Sequence, residues 1–305
     1  MATAAPTRPQ RPTGEPVARP GLRRWWLWLS VPIATLAVAS SVTGILVDRI
    51  YANESESWRA QAIGQDIANL VVLPLLLVLA YAAARGSARA LLAWTGLLVY
   101  TAYTFAIYAF AVHFGPLFLV HVTVLGLSAW ALVGSLAGID PERVRAAVTV
   151  PHLVGFVSTL LVAIGAGFAL LWLAMDLPAM VGGEPSEELR DTGLLTNPVH
   201  VLDLALFLPA SLLAGVLLRR GRAWGYCLAP VILSAMAAIS LGIVSLTVVD
   251  AARGGEASVV VAAVIGTVGV VQAVACWRFL SGMPPDTRTT DVLRSARRPS
   301  RVAER

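Results

Sequence analysis

Long apolar runs alternate with short polar or charged segments along almost the whole chain. Several runs reach about 18 residues or more, and about 20 predominantly apolar residues suffice for a helix to cross a bilayer. The pattern predicts an all-α, polytopic integral membrane protein with eight transmembrane helices. The predicted spans cover roughly residues 25–47, 66–84, 90–112, 117–137, 148–174, 198–219, 224–249 and 257–280.

The segments between the predicted spans differ in length and charge. Two of them, 48–65 and 175–197, are long, polar and acidic, and we predict that both are loops on the same side of the membrane. The tails, 1–22 and 283–305, are basic and lack periodicity, so both are predicted to be disordered. The membrane domain is therefore expected to span residues 23–282.

Composition supports this class and sets the orientation. Of the 305 residues, 57% are hydrophobic and 13% charged, and the chain has no Lys, so all 23 basic residues are Arg. With both termini in the cytoplasm, 19 of these 23 Arg lie inside, as the positive-inside rule requires. The net charge of +5 thus indicates topology rather than a nucleic-acid partner. Cys227 and Cys276 lie near the inner ends of their spans and are expected to be reduced.

The two halves of the chain, 23–145 and 146–282, share several features in the same order. Val31-Pro32 and Val150-Pro151 open spans one and five, and a long acidic segment follows each span. Leu-Pro occurs at 73–74 and 208–209, and Arg-Gly follows at 85–86 and 220–221. Four spans per half would make two parallel repeats, with spans two and six beside the pseudo-axis. The alternative is coincidence, because these residue types are common in such a composition.

The start of span six carries the most distinctive polar residues. Asn197 can cap the helix and Pro198 suits its first turn. His200 and Asp203 are three residues apart and therefore share a face. Ionisable residues in a membrane span are costly and are functional candidates by default, although a helix-end anchor near the interface would explain the same pair.

Other polar residues are predicted at a similar depth. Counting 1.5 Å per residue places His121 about 7–8 Å into span four, near the depth of Tyr108 in span three. Asp66 and Asn69 begin span two in the same layer. We therefore predict an outward-open polar pocket between spans two, three, four and six. Its catalytic candidates are His200, Asp203 and Tyr108, and its ligand-binding candidates are Asp66, Asn69, Tyr103 and Asn197.

Several chemistries suit such a layer. His121, His200 and Asp203 would supply ligands for zinc or another divalent metal and leave a position open for hydrolysis. Alternatively, Asp203 would orient His200 as a general base with Tyr108 as the acid. No motif identifies a cofactor, and hydrogen-bonded interface residues are the plain alternative. The Tyr100, Thr104 and Tyr108 stripe is likewise more typical of helix packing than of ligand binding.

Three function classes follow from these observations. The polar layer favours a membrane-embedded enzyme or a site for a metal, small molecule or lipid. The parallel repeat favours a facilitative small-molecule transporter or flippase, since the middle of the bilayer offers no acid or base for ion coupling and only Gln272 and, further in, His152. A structural or sensory membrane protein would need no site at all.

Three segments carry a resemblance. Gly64-Gln65-Asp66, Arg85-Gly86-Ser87 and the Thr196–Asp203 stretch TNPVHVLD resemble those of a family of uncharacterised bacterial and archaeal multi-spanning membrane proteins. The resemblance covers spans two to seven and implies a fold only, because the family has no established activity. We predict a multi-pass protein of the bacterial plasma membrane. His121 departs from the family, which often carries Tyr near the start of span four, and this puts in question a metal site that depends on His121.

Overall fold

The computed structural model describes residues 25–255, 259–285 and 287–293. Within them, eight helices are long and apolar enough to cross a membrane, which confirms the predicted fold class. We name them spans one to eight in chain order. Their bounds are Trp25–Leu46, Glu56–Ala84, Ala88–Ala111, Phe118–Gly138, Pro151–Gly182, Pro198–Arg219, Ala223–Ala252 and Val259–Ser281. The predicted tail 1–22 lies outside the described residues.

The two acidic segments are shorter as loops than predicted. Span two begins at Glu56, where Ser55 accepts a hydrogen bond from the Trp58 N–H, so ten residues of the predicted 48–65 loop belong to span two. Span five continues to Gly182, and Glu187–Thr192 forms a further short helix within 175–197. Polar composition signalled loops here, but amphipathic helix ends that project from the apolar layer have the same composition.

The two ends of the helical bundle differ in charge. The arginine-rich end carries the turns at 85–87 and 220–222 and the short helix Pro141–Ala147. The acidic end carries residues 48–55 and 183–197. The two ends are thus defined by their charge alone.

The C-terminal segment is ordered where it was predicted to be disordered. Residues 287–293 lie across the arginine-rich end and include the short helix Thr289–Val292. The Thr289 hydroxyl donates to the Ala83 carbonyl at 2.8 Å, and the Asp140 N–H donates to the Val292 carbonyl at 2.7 Å. Val292 is fully buried. Apolar residues among the arginines therefore fasten this segment to the first half, and residues 294–305 lie outside the described part.

The neighbour relations within the bundle agree with two four-helix halves. In each half the first span packs on the second, the second on the third and the third on the fourth. Spans three and seven, which occupy equivalent places, pack closely on each other between the halves. A side chain at Gly96 of span three would overlap the backbone of Val231 in span seven, which shows how near the two helices approach. Span seven also packs closely on span two, so it joins the halves through spans two and three, whereas the predicted central pair, spans two and six, hardly touch.

The two Arg-Gly turns have the same geometry. Gly86 and Gly221 have positive φ values of 111° and 64°, a conformation that glycine adopts without a steric penalty. In both turns the residue after the glycine donates its N–H to the carbonyl five residues earlier, Ser87 to Ala82 and Arg222 to Leu217. The same local structure thus ends the second span of each half, although the parallel repeat itself stays a prediction.

Candidate functional site

The first polar cluster surrounds Asp66, which is fully buried in span two. Its carboxyl accepts hydrogen bonds from the Tyr51 hydroxyl at 2.8 Å and the Tyr108 hydroxyl at 2.9 Å. Tyr51 belongs to the short 3-10 helix Asp48–Tyr51 at the acidic end. Burial, together with the neighbouring Asp66, raises the pKa of Tyr51 well above its ordinary value, so Tyr51 remains a protonated donor at physiological pH. Tyr51 was not among the predicted site residues, because the segment that contains it was predicted to be a polar loop.

A chain of amide and hydroxyl groups extends this cluster toward the middle of the bundle. The Tyr100 hydroxyl donates to the Asn69 side-chain oxygen at 2.8 Å, and the Asn69 amide donates to Ser41 at 3.1 Å. The Gln65 amide donates to the Tyr100 hydroxyl at 2.6 Å. Asp66 and Asn69 are therefore held in a fully hydrogen-bonded interior network, as buried polar groups require. Neither of them reaches the cavity described below.

His121 joins the same cluster from span four. Its Nε2 lies 3.0 Å from the Ser40 hydroxyl, and its ring stacks on Tyr108 with centroids 5.1 Å apart. The side chain is only 2% exposed. His121 thus packs spans one, three and four together and contacts neither His200 nor Asp203.

The second polar cluster surrounds Asp203 in span six, which is 8% exposed. One carboxylate oxygen accepts the Tyr103 hydroxyl at 3.1 Å, and the other accepts the Trp172 indole N–H at 2.8 Å. Tyr103 was predicted as a pocket residue, whereas Trp172 of span five was not identified. Among the described residues, no Arg or His nitrogen forms an ion pair with Asp203.

His200 is separated from Asp203 by Trp172. The indole ring stacks on the imidazole with centroids 4.1 Å apart while its N–H donates to Asp203. The carboxylate bonded to His200 is that of Asp176, whose two oxygens lie 2.9 and 3.1 Å from Nδ1. Glu188 lies 4.0 Å from Nε2. The predicted orientation of His200 by Asp203 is therefore wrong, because the three-residue spacing brings both side chains to one indole rather than to each other.

The local structure of span six sets the directions in which His200 and Asp203 point. Asn197 caps the helix as predicted, with its side-chain oxygen accepting from the N–H groups of Val199 and His200 at 3.0 and 3.2 Å. Asn197 is thereby used for capping and does not line the cavity. From Asp203 to Phe207 the helix takes a π turn, in which the Leu208 N–H donates to the Asp203 carbonyl. Pro209 follows, and a proline inside a helix removes one hydrogen bond and displaces the preceding turn.

The predicted metal site is not assembled. Across residues 25–255, 259–285 and 287–293, no three His, Cys, Asp or Glu side chains form a group that would hold a metal ion. His121 belongs to the first cluster, whereas His200 and Asp203 belong to the second, on either side of span three. The sequence predicted a common depth for these residues, but helix depth does not specify which face of each helix meets which neighbour.

A cavity of about 220 Å³ lies beside the second cluster. Asp203, Tyr103 and Trp172 line its wall at the level of the acidic end, and Ser240 and Gln272, which are hydrogen-bonded at 3.0 Å, line it further in. Most of the remaining wall is apolar or aromatic. It includes Trp58, Ile164, Phe168, Phe207, Met236, Ile239, Ile243, Leu246, Ile265 and Val268.

The cavity differs from the predicted pocket in position and character. It lies between spans two, three, five, six, seven and eight, and span four contributes no lining residue. Its wall is mainly apolar rather than polar. His200 and His152 are both absent from the lining, whereas Tyr100, Thr104 and Tyr108 all line it. The hydroxyl stripe of span three therefore serves both helix packing and the cavity wall.

The two cysteines lie away from this cavity. Cys227 and Cys276 are buried and free, as predicted.

No protein-family model, curated protein or solved structure matches the chain. What the cavity binds is therefore inferred from its own residues.

Proposed function

We propose that this multi-pass membrane protein binds a small molecule with an apolar body and a cationic or hydrogen-bond-donating head in the cavity beside Asp203. One observation carries the proposal: a buried carboxylate on the wall of an apolar cavity, held by two neutral donors and without an ion-pair partner among the described residues. An unpaired buried charge is costly, and an opposite charge nearby favours the ionised carboxylate, so this site suits a cationic group. A mainly apolar cavity with few polar groups is typical of small-molecule sites.

The aromatic side chains around Asp203 favour the same ligand. Trp172 and Tyr103 present rings as well as donors, and Phe168 and Phe207 lie beside them. Cations bind favourably over aromatic faces. An anionic head would instead be repelled by the carboxylate and would lose its hydration without compensation. The apolar remainder of the wall suits a hydrocarbon or aryl body.

The test compares ligands that differ only in their head group. The protein, reconstituted in lipid nanodiscs, is titrated with 4-phenylbutylamine, 4-phenylbutanol and 4-phenylbutyrate while its thermal stability and binding heat are recorded. We expect the amine to bind best and the carboxylate worst. Asp203→Asn should weaken amine binding roughly 10- to 150-fold, the value of a hydrogen bond to a charged group of about 1.5–3 kcal/mol.

Two variants make the test specific. Asp191→Asn changes the same functional group at an exposed position and should leave amine binding unchanged. Trp172→Phe removes the indole N–H bond to Asp203 and reduces the ring area but keeps an aromatic side chain and the carboxylate, so it should weaken amine binding less than Asp203→Asn does. Equal binding of all three ligands, or equal binding by Asp203→Asn and wild type, would refute the proposed site.

Facilitative transport is the second candidate, and the position of the cavity favours it. The wall combines spans two and three of the first half with spans five to eight of the second. Transporters built from repeats bind their substrates near mid-membrane between the repeats, where helices are interrupted. Span six is not unwound, but its π turn at Asp203–Phe207 is a local irregularity beside the cavity. Release of a permanently charged probe, 4-phenylbutyltrimethylammonium, from proteoliposomes should then exceed that from protein-free liposomes and from Asp203→Asn proteoliposomes.

Catalysis has less support. The predicted set of His200, Asp203 and Tyr108 does not converge on one point, because Trp172 separates the first two and Tyr108 is bonded to Asp66.

We place the protein in the bacterial plasma membrane with its arginine-rich end in the cytoplasm, on the strength of the arginine distribution. Membership in the family that its GQD, RGS and TNPVHVLD segments resemble is part of the same proposal.

A further inference from the structure

The fourth and first spans of the two halves meet very differently. In the first half, spans one and four are joined along their length. Ser40 bonds to His121 at one level, and the Trp26 ring lies against Gly134 and Gly138 at another. In the second half, the equivalent spans five and eight contact each other only sparsely. Their firm connection is at the arginine-rich end, where Thr149 bonds through its N–H and hydroxyl to the Gly282 carbonyl at 3.1 and 2.7 Å.

The cavity lies behind this weak seam. Span five presents Ile164, Phe168 and Trp172 at intervals of four residues, and span eight presents Ile265, Val268 and Gln272 at intervals of three and four. Both stripes line the cavity, although the two helices barely touch. Ile265 and Val268 lie about 9 and 14 Å along span eight from its start near the acidic end. The gap is therefore at the level of the outer half of a bilayer.

We propose that the cavity opens sideways to the lipid between spans five and eight, and that its occupant is a bilayer-dissolved amphiphile with an amine head. This inference rests on the proposed function for the amine head and adds the route and the lipid-soluble class. The surroundings support it. The residues that flank the seam outside, Val264, Val271 and Leu171, are exposed and apolar, so a hydrocarbon chain passes from lipid to cavity without crossing a polar surface.

The opening is tested with a phosphatidylcholine that carries a diazirine in its acyl chain. The full-length protein is reconstituted with this lipid and irradiated, and the labelled residues are located by mass spectrometry. The exposed residues Val264 and Val271 should be labelled in any case and serve as internal controls. We expect labelling also at the inward-facing Phe168, Ile265 and Val268. Labelling confined to the outward-facing controls would overturn the proposal.

Two further arms connect the opening with its occupant. Val268→Trp should fill the gap and lower labelling of Phe168 at least fivefold while Val264 stays labelled. A Tm close to that of the wild type shows that the variant is folded. Dodecylamine, which dissolves in the bilayer, should protect the inward-facing residues, whereas dodecanoic acid, with the same number of carbons and an anionic head, should not. Equal protection by both, or by neither, would overturn the amine-headed occupant.

The result is separable from that of the proposed function. If 4-phenylbutylamine binds through Asp203 but the inward-facing residues are not labelled, the site stands and the lateral opening is refuted. If those residues are labelled but no amine binds or protects, the opening exists, and an amine-headed ligand is refuted both for the proposed function and for the lateral route.

Discussion

Removing either tyrosine donor from Asp66 should destabilise the protein by a predictable amount. The Tyr51 and Tyr108 hydroxyls lie 2.8 and 2.9 Å from the two oxygens of a carboxyl that is fully buried. Depriving a buried polar group of its partner costs about 1–3 kcal/mol. We therefore expect Tyr51→Phe and Tyr108→Phe each to lower the free energy of unfolding by about 2 kcal/mol. For a chain of 305 residues, with an unfolding entropy of about 2.1 cal/mol/K per residue, that is a fall of about 3 °C in Tm.

The assay is thermal unfolding in detergent, with the exposed Tyr81→Phe as the matched control. Tyr81 only accepts a hydrogen bond from Arg85 at the surface, and its loss should change stability by less than about 0.5 kcal/mol. In an Asp66→Leu background no carboxyl remains to be satisfied, so the cost of Tyr51→Phe should fall toward that of the control. The reasoning is refuted if Tyr51→Phe costs the same with and without the Asp66 carboxyl.

Three further predictions concern the architecture. Gly86→Ala and Gly221→Ala should each cost about 1–2 kcal/mol, because both glycines have positive φ, and a clear cost at only one would contradict the equivalence of the two turns. Thr289→Ala removes the bond to the Ala83 carbonyl and should cost about 1 kcal/mol, a fall in Tm of about 1–2 °C, with faster proteolysis of the C-terminal segment. An unchanged Tm would show that this bond contributes no stability. A single cysteine at Glu184 should react with an impermeant thiol reagent in intact cells and one at Arg145 should not, and the reverse pattern would invert the orientation.

Much of the fold could be predicted from the sequence because membrane insertion is decided by local composition. A bilayer requires each span to satisfy its own backbone hydrogen bonds, so apolar length alone identifies the helices. This is why the eight spans were predicted correctly and why the capping by Asn197 was read from four adjacent residues. The helical part of 48–65 was missed because a helix that extends beyond the apolar layer loses the signal that identified the span.

The site was only partly accessible. Asp203 and Tyr103 were identified because polar groups are conspicuous in apolar spans. Trp172 and Tyr51 were missed, since aromatic residues are ordinary near membrane interfaces and neither lies in a motif. Asp176 was missed because it fell within a predicted loop, whereas it lies in the last turns of span five and bonds to His200.

The sequence by itself determined the number of spans and the charge difference between the two ends, because each depends on residues close together in the chain. The tertiary structure alone decided which polar residues share a cluster and where the cavity lies. His121 and His200 are at similar depths yet lie in different clusters, and Asp203 turns to Trp172 rather than to its near neighbour His200. Helix rotation, the π turn and the choice of neighbours set these contacts, and all three depend on packing between distant segments.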